Sequence, residues 1–135
     1  MRICGVELKA NNIIFSVIEI VNEEIEYLDV KIKKLTLEDD ENQTSIKEFK
    51  NLINQFISEN NIEKIIIKKR AKKGNFAGGA ITFKIESLIQ LSSDCEVVFI
   101  SSQAITKYTK NNDIIFPKNL NKYQEQAFLS ALIFS

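Results

Sequence analysis

The chain has 135 residues, 44% hydrophobic and 27% charged, with four glycines and one proline. That length suits one compact domain burying roughly 70% of its unfolded surface, and that composition excludes a disordered, collagenous or low-complexity chain. Eighteen basic and eighteen acidic side chains cancel, and the lack of any histidine excludes His-based triads, His–zinc sites and imidazole proton shuttles. Cys4 and Cys95 both lie in apolar stretches and suggest neither a disulfide framework nor a metal-ligand set. No apolar run approaches the ~20 residues that span a bilayer, and Met1-Arg2-Ile3-Cys4 does not read as a signal peptide. A cytoplasmic protein without membrane association is therefore expected.

The apolar pattern reads first as strands. Ile3, Val6 and Leu8 suggest an opening strand and Ile13 to Ile20 a second, with Asn11-Asn12 as hairpin turn chemistry between them. Asn22-Glu23-Glu24 is the next turn, and a third strand is expected from about Ile25 to Leu35, where Val30 and Ile32 alternate with Lys31 and Lys33. The period then changes. Ile46, Phe49, Ile53, Phe56 and Ile57 recur at helical spacing, with Ser45 and Glu48 reading as a capping box and Asn60-Asn61 as the close. Ile62 to Ile67 is a short apolar run expected of a strand covered on both faces. A basic loop follows, then a helix through Ala80, Ile81, Ile85, Leu88 and Leu91, and a buried strand from Val97 to Ile100. Ser101 or Ser102 caps a short helix to about Lys110; Asn111 to Asp113 and Pro117 mark a loop; Leu120, Gln124, Ala127, Phe128 and Ala131 fit a last helix.

The order βββ-α-β-α-β-α-α, with neither repeat nor linker, predicts a single α/β domain over 1–135. Its expected architecture is a mixed sheet with helices on both faces. The ribonuclease H-like fold has this order, and other mixed α+β arrangements compete with it on pattern alone.

Charge is uneven along the chain. Residues 1–60 hold seven basic and twelve acidic residues and residues 61–135 eleven and six, leaving −5 and +5. The basic excess peaks between Lys64 and Lys73, a stretch with no acid. Such asymmetry suits an anionic partner, and equally suits complementarity within the molecule.

Two blocks narrow the choice of fold. Cys4-Gly-Val-Glu-Leu-Lys9, and Lys73-Gly-Asn-Phe-Ala-Gly-Gly-Ala80 with Phe83-Lys84-Ile-Glu86 and Ile89-Gln-Leu91, resemble a bacterial family known as domain of unknown function 3010. The likeness covers the chain to about Lys110. That family resembles in turn the RuvC-like branch of the ribonuclease H-like superfamily, whose members include Holliday-junction resolvases.

The resemblance implies a metal-dependent endonuclease site. Such a site needs a carboxylate on the first strand, one at the end of the fourth and a further pair on the last helix, converging on Mg²⁺ or Mn²⁺. Glu7 matches the first position and is the metal-side candidate. Lys69 stands where the second carboxylate is expected, and a cation there repels metal and removes a ligand. On the last helix Tyr123-Gln-Glu-Gln126 replaces the acid-rich pattern and leaves Glu125 as the carboxylate available. Glu86 reads as a helix-surface residue. The catalytic set is thus incomplete, and Glu7 paired with Lys69 is the competing, purely structural reading.

The segment from Lys68 to Gly79 runs from a strand end across a basic loop into a helix N-terminus, a setting that favours anions. Arg70, Lys72 and Lys73 are the expected phosphate contacts and Phe76 a possible base-stacking face; tight packing by the glycines and a core role for Phe76 is the alternative. The segment lacks the spacing and ending of a P-loop. Two functions follow: a weak nuclease or noncatalytic binder of structured DNA or RNA, or a protein-interaction scaffold. The apolar C-terminus Ala131-Leu-Ile-Phe134 adds the expectation of a homodimer.

Overall fold

In the computed structural model, which describes residues 1–70, 79–92 and 94–135, the two opening strands form one long hairpin. Strands Arg2–Lys9 (β1) and Asn12–Val21 (β2) pair antiparallel, so that Gly5 faces Ser16, Val6 faces Phe15 and Glu7 faces Ile14. The turn falls at Ala10 and Asn11, one residue earlier than the Asn11-Asn12 pair suggests, with Ala10 at φ 53°. A second hairpin leads into Glu24–Leu28 (β3) through Asn22 and Glu23, both at positive φ as a type I′ turn demands.

The third strand is shorter than expected. β3 ends at Leu28, and Lys34–Thr36 (β4) is a separate strand that pairs antiparallel with the start of β2. Between them Val30 and Ile32 pack against the core without joining a ladder, while Lys33 Nζ holds Asp29 at 2.9 Å. Helix Gln43–Glu59 (α1) follows, capped by Asn42, whose Oδ1 accepts the Ser45 N–H at 2.9 Å. Ser45 is therefore inside the helix, and the cap lies three residues before the expected one.

Lys64–Lys68 (β5) lies parallel to β1, and Glu96–Ile100 (β6) parallel to β5. The strand order is β3-β2-β1-β5-β6, with β4 beside β2, so the opening strand is central. Ala80–Ser92 (α2), Ser102–Asn111 (α3) and Glu125–Ile133 (α4) complete the architecture. Ser101 caps α3, its Oγ accepting the Ala104 N–H. The last helix starts at Glu125, later than its apolar pattern suggests, after a 3-10 turn at Lys122–Gln124.

Strand alternation sorts the sheet into two faces. Cys4, Val6, Leu8, Ile13, Phe15, Ile65 and Ile67 pack against α1 and α2, where Phe15 stacks on Phe56 with ring centroids 3.9 Å apart. Ile3, Ile18, Ile66 and Ile100 pack against α3 and α4 through Ile105, Phe128, Leu129 and Ala131. Glycine is required at position 5. A Cβ there would lie 1.7 Å from the carbonyl oxygen of Ala127 and 2.9 Å from the nitrogen of Ala131, so the α4 backbone rests directly on β1. Among the described residues no helix is long and apolar enough to cross a membrane.

Candidate nucleic-acid interface

Parity along the central strands decides which charges meet. On β1, Ile3, Gly5 and Glu7 share the face that carries α4; on β5, Lys64, Ile66 and Lys68 share the same face. Glu7 and Lys68 thus stand side by side at the carboxyl ends of neighbouring parallel strands, and Lys68 Nζ lies 3.5 Å from Glu7 Oε2. Both side chains are about one-fifth exposed, so the pair is partly screened by protein and open to solvent at its edge. Lys69 is exposed, one residue beyond β5, with its N–H donating to the Ile100 carbonyl at 2.7 Å. The ammonium that meets Glu7 therefore belongs to Lys68 and not to Lys69.

The row continues sideways. Glu7 faces Ile14 on β2, and Ile14 faces Lys34 on β4, so Lys34, Ile14, Glu7 and Lys68 cross the sheet on one face. Helix α4 lies over the same face. Its C-terminal Phe134 ring sits under the ammonium of Lys64, 5.3 Å from the ring centroid, at the end of β5 away from Lys68. Its N-terminus, with Glu125 in the first turn, points towards the Glu7 end. Gln124 fixes that end: its Nε2 donates to the Phe15 carbonyl at 2.9 Å and its Oε1 accepts the Asn121 N–H at 3.0 Å. Glu125 is half-buried, and Tyr123 beside it is 45% exposed.

Arg70 has a different environment from an open phosphate contact. Its side chain is 8% exposed, Nη1 lies 3.1 Å from Glu86 Oε2, and the guanidinium carbon stacks 3.5 Å from the Phe83 ring centroid. Its charge is met inside the protein. Glu86, expected on the helix surface, is the partner that meets it. Lys72, Lys73 and Phe76 lie outside the described residues. A groove of about 550 Å³ runs along α3, with Lys107 and Lys110 among its lining residues.

The thiol of Cys4 is buried on β1, and burial pushes its pKa well above the ordinary value of 9.0. It stays a protonated core group with no role as a nucleophile.

Residues 1–134 match the family described as "Protein of unknown function (DUF3010)". The chain belongs to this family. No curated protein matches it. Among solved structures the family member is similar to Thermus thermophilus RuvC, with a TM-score of 0.73 and 6% identity over 98% of this chain and 92% of that one. T. thermophilus RuvC in complex with a Holliday junction substrate matches with a TM-score of 0.69 at 7% identity, covering 98% and 90%. The fowlpox virus Holliday junction resolvase matches with a TM-score of 0.59 at 14% identity, covering 99% and 96%. These likenesses establish the RuvC-like, ribonuclease H-like fold expected from the element order and leave the chemistry to the residues.

The residues do not fit a divalent-metal centre. Among the described residues no three of His, Cys, Asp or Glu come together in a way that could hold a metal ion. Residues 71–78 and 93 contain none of those four types, so they add no ligand. The first-strand carboxylate faces an ammonium, where a two-metal site needs several anionic oxygens converging. The parity that places Lys68 beside Glu7 was available in the sequence: Ile65 and Ile67 face one core, which leaves Ile66 and Lys68 for the other.

Proposed function

We propose that this chain is a noncatalytic binder of structured DNA, which it engages at the carboxyl ends of its central parallel strands. The Glu7–Lys68 ion pair carries the noncatalytic part of the reading, because it sets an ammonium against the first-strand carboxylate in a fold shared with junction resolvases. A lysine ammonium holds a phosphate as a point charge and needs no metal to do so. Lys69 extends the cationic surface beyond β5, Lys107 and Lys110 add to it along α3, and Lys72 and Lys73 follow Lys69 in sequence. Glu125, at the N-terminus of α4, is matched to the helix dipole and serves as a helix-end acid in this reading.

The test is binding of labelled four-way junction, duplex and single-stranded DNA, and of RNA, at several salt concentrations with EDTA or Mn²⁺ present. Binding that persists in EDTA, falls linearly with salt on logarithmic axes and leaves the DNA uncut is the expected result. Mn²⁺-dependent cleavage that disappears in Glu7→Gln would show a working nuclease instead. Absence of binding at low salt would remove nucleic acid as the partner.

A further inference from the structure

Tyr123 is a large aromatic side chain that the fold leaves outside both cores. It is 45% exposed, immediately before the Gln124 side chain that pins the α4 N-terminus to β2. Lys34 Nζ stands 5.8 Å from the centroid of its ring. Lys34 is exposed, and among the described residues no carboxylate pairs with its ammonium. The segment from Ile114 to Gln124 contains Lys118 and Lys122, both exposed, and no acid. An exposed aromatic ring with an unpaired ammonium over it is the arrangement that proteins use to stack a base while holding its backbone.

Its position gives that chemistry an occupant. Lys34 and Lys68 lie on one row of the sheet, separated by β2 and β1. Three strand spacings of ~4.8 Å put them roughly 14 Å apart, a span covered by a few nucleotides of single strand. Base pairs in a duplex bury the faces of their bases against one another, so an aromatic side chain can stack only on a base without such neighbours. Resting on the nucleic-acid reading above, we infer that Tyr123, with Lys34, forms a subsite that stacks an unpaired DNA base at the far end of the row from the Glu7–Lys68 pair.

The experiment compares the wild-type chain with Tyr123→Ala, Tyr123→Phe and Lys34→Ala on a single-stranded oligothymidine and on a blunt duplex. Tyr123→Ala is expected to weaken single-strand binding by roughly five- to a hundredfold, the span seen on removing one base–aromatic stack, with the salt slope unchanged. Tyr123→Phe keeps wild-type affinity, and duplex binding is the same in all three. Lys34→Ala instead lowers the single-strand salt slope by about 0.7. The chain has no tryptophan, so Tyr123→Trp supplies a lone indole whose fluorescence should be quenched saturably by the oligonucleotide. Wild-type binding with unaltered affinity in Tyr123→Ala, or an unquenched indole at saturation, overturns the subsite while leaving the nucleic-acid reading standing. Failure of the wild type to bind any DNA overturns both.

Discussion

Replacing Gly5 by alanine tests the contact that fixes α4, and with it the whole α4 face of the site. The added Cβ would sit 1.7 Å from the Ala127 carbonyl oxygen and 2.8 Å from its carbonyl carbon. Both atoms are backbone, so no rotamer change relieves the clash, and α4 must withdraw by more than about 1 Å for ordinary contact. A gap of that size forfeits a quarter to a half of the dispersion energy across a close-packed layer. Here that layer includes Phe128, Leu129 and Ala131 against Ile3, Ile18 and Ile66. Overpacking costs about 1–3 kcal/mol at a single core site, and the lost packing of α4 places the total near the top of that range or above. At about 3–5 °C per kcal/mol for a chain of this size, the midpoint of thermal unfolding should fall by ~10 °C or more. Circular dichroism at 222 nm reads it directly. A Gly5→Ala protein that melts within about 3 °C of wild type would show that α4 does not rest on β1 as described.

Other outcomes follow from single contacts. Glu7→Gln frees the Lys68 ammonium, so duplex affinity should rise and the salt slope steepen by about 0.9; reduced affinity in a titration series would contradict the electrostatic role given to Glu7. Arg70→Ala leaves Glu86 without its cation and removes the stack on Phe83, for a loss of ~3 kcal/mol in urea unfolding, with Arg70→Lys recovering only part. Burial raises the pKa of Cys4, so the folded chain keeps a proton that the unfolded chain releases above about pH 9; stability should fall there as pH rises, by up to ~1.4 kcal/mol per pH unit, and Cys4→Ala should fall less steeply. Mn²⁺ at millimolar concentration should leave the melting temperature of the wild-type chain unchanged, and a clear rise abolished in Glu7→Gln would restore a metal site.

The pattern of apolar residues located the elements that bury a face and misread those that do not. β1, β2 and α1 were readable because Val6, Ile13, Phe15, Phe49 and Phe56 sit at regular intervals and all reach one core. Val30 and Ile32 alternate with lysines as a strand would, yet they only bury side chains, because the ladder stops at Leu28. Alternation reports which side is covered and says nothing of whether the backbone has a partner. Ser45 and Glu48 imitate a capping box one turn after the true cap, Asn42, and so mask it in the sequence. At the site, residue type pointed to Glu7 correctly as a carboxylate facing away from the Val6 and Leu8 core. The identity of its neighbour depended on a parallel register, which no single segment contains. Arg70 reads as a surface cation in the sequence because its partners, Phe83 and Glu86, come more than ten residues later in the chain.

The contacts between Arg70 and α2 also tie the end of β5 to that helix directly. Arg70 ends the described part of the segment after β5, and Phe83 and Glu86 lie in the opening turns of α2, so the two flanks of residues 71–78 are tied by contacts that do not involve those residues. Lengthening a chain segment between fixed ends costs only about 0.6 kcal/mol for each doubling. The end of β5 and the opening turns of α2 therefore keep their spacing through Arg70, Phe83 and Glu86, and a longer segment between them would add little to the entropy of closing it.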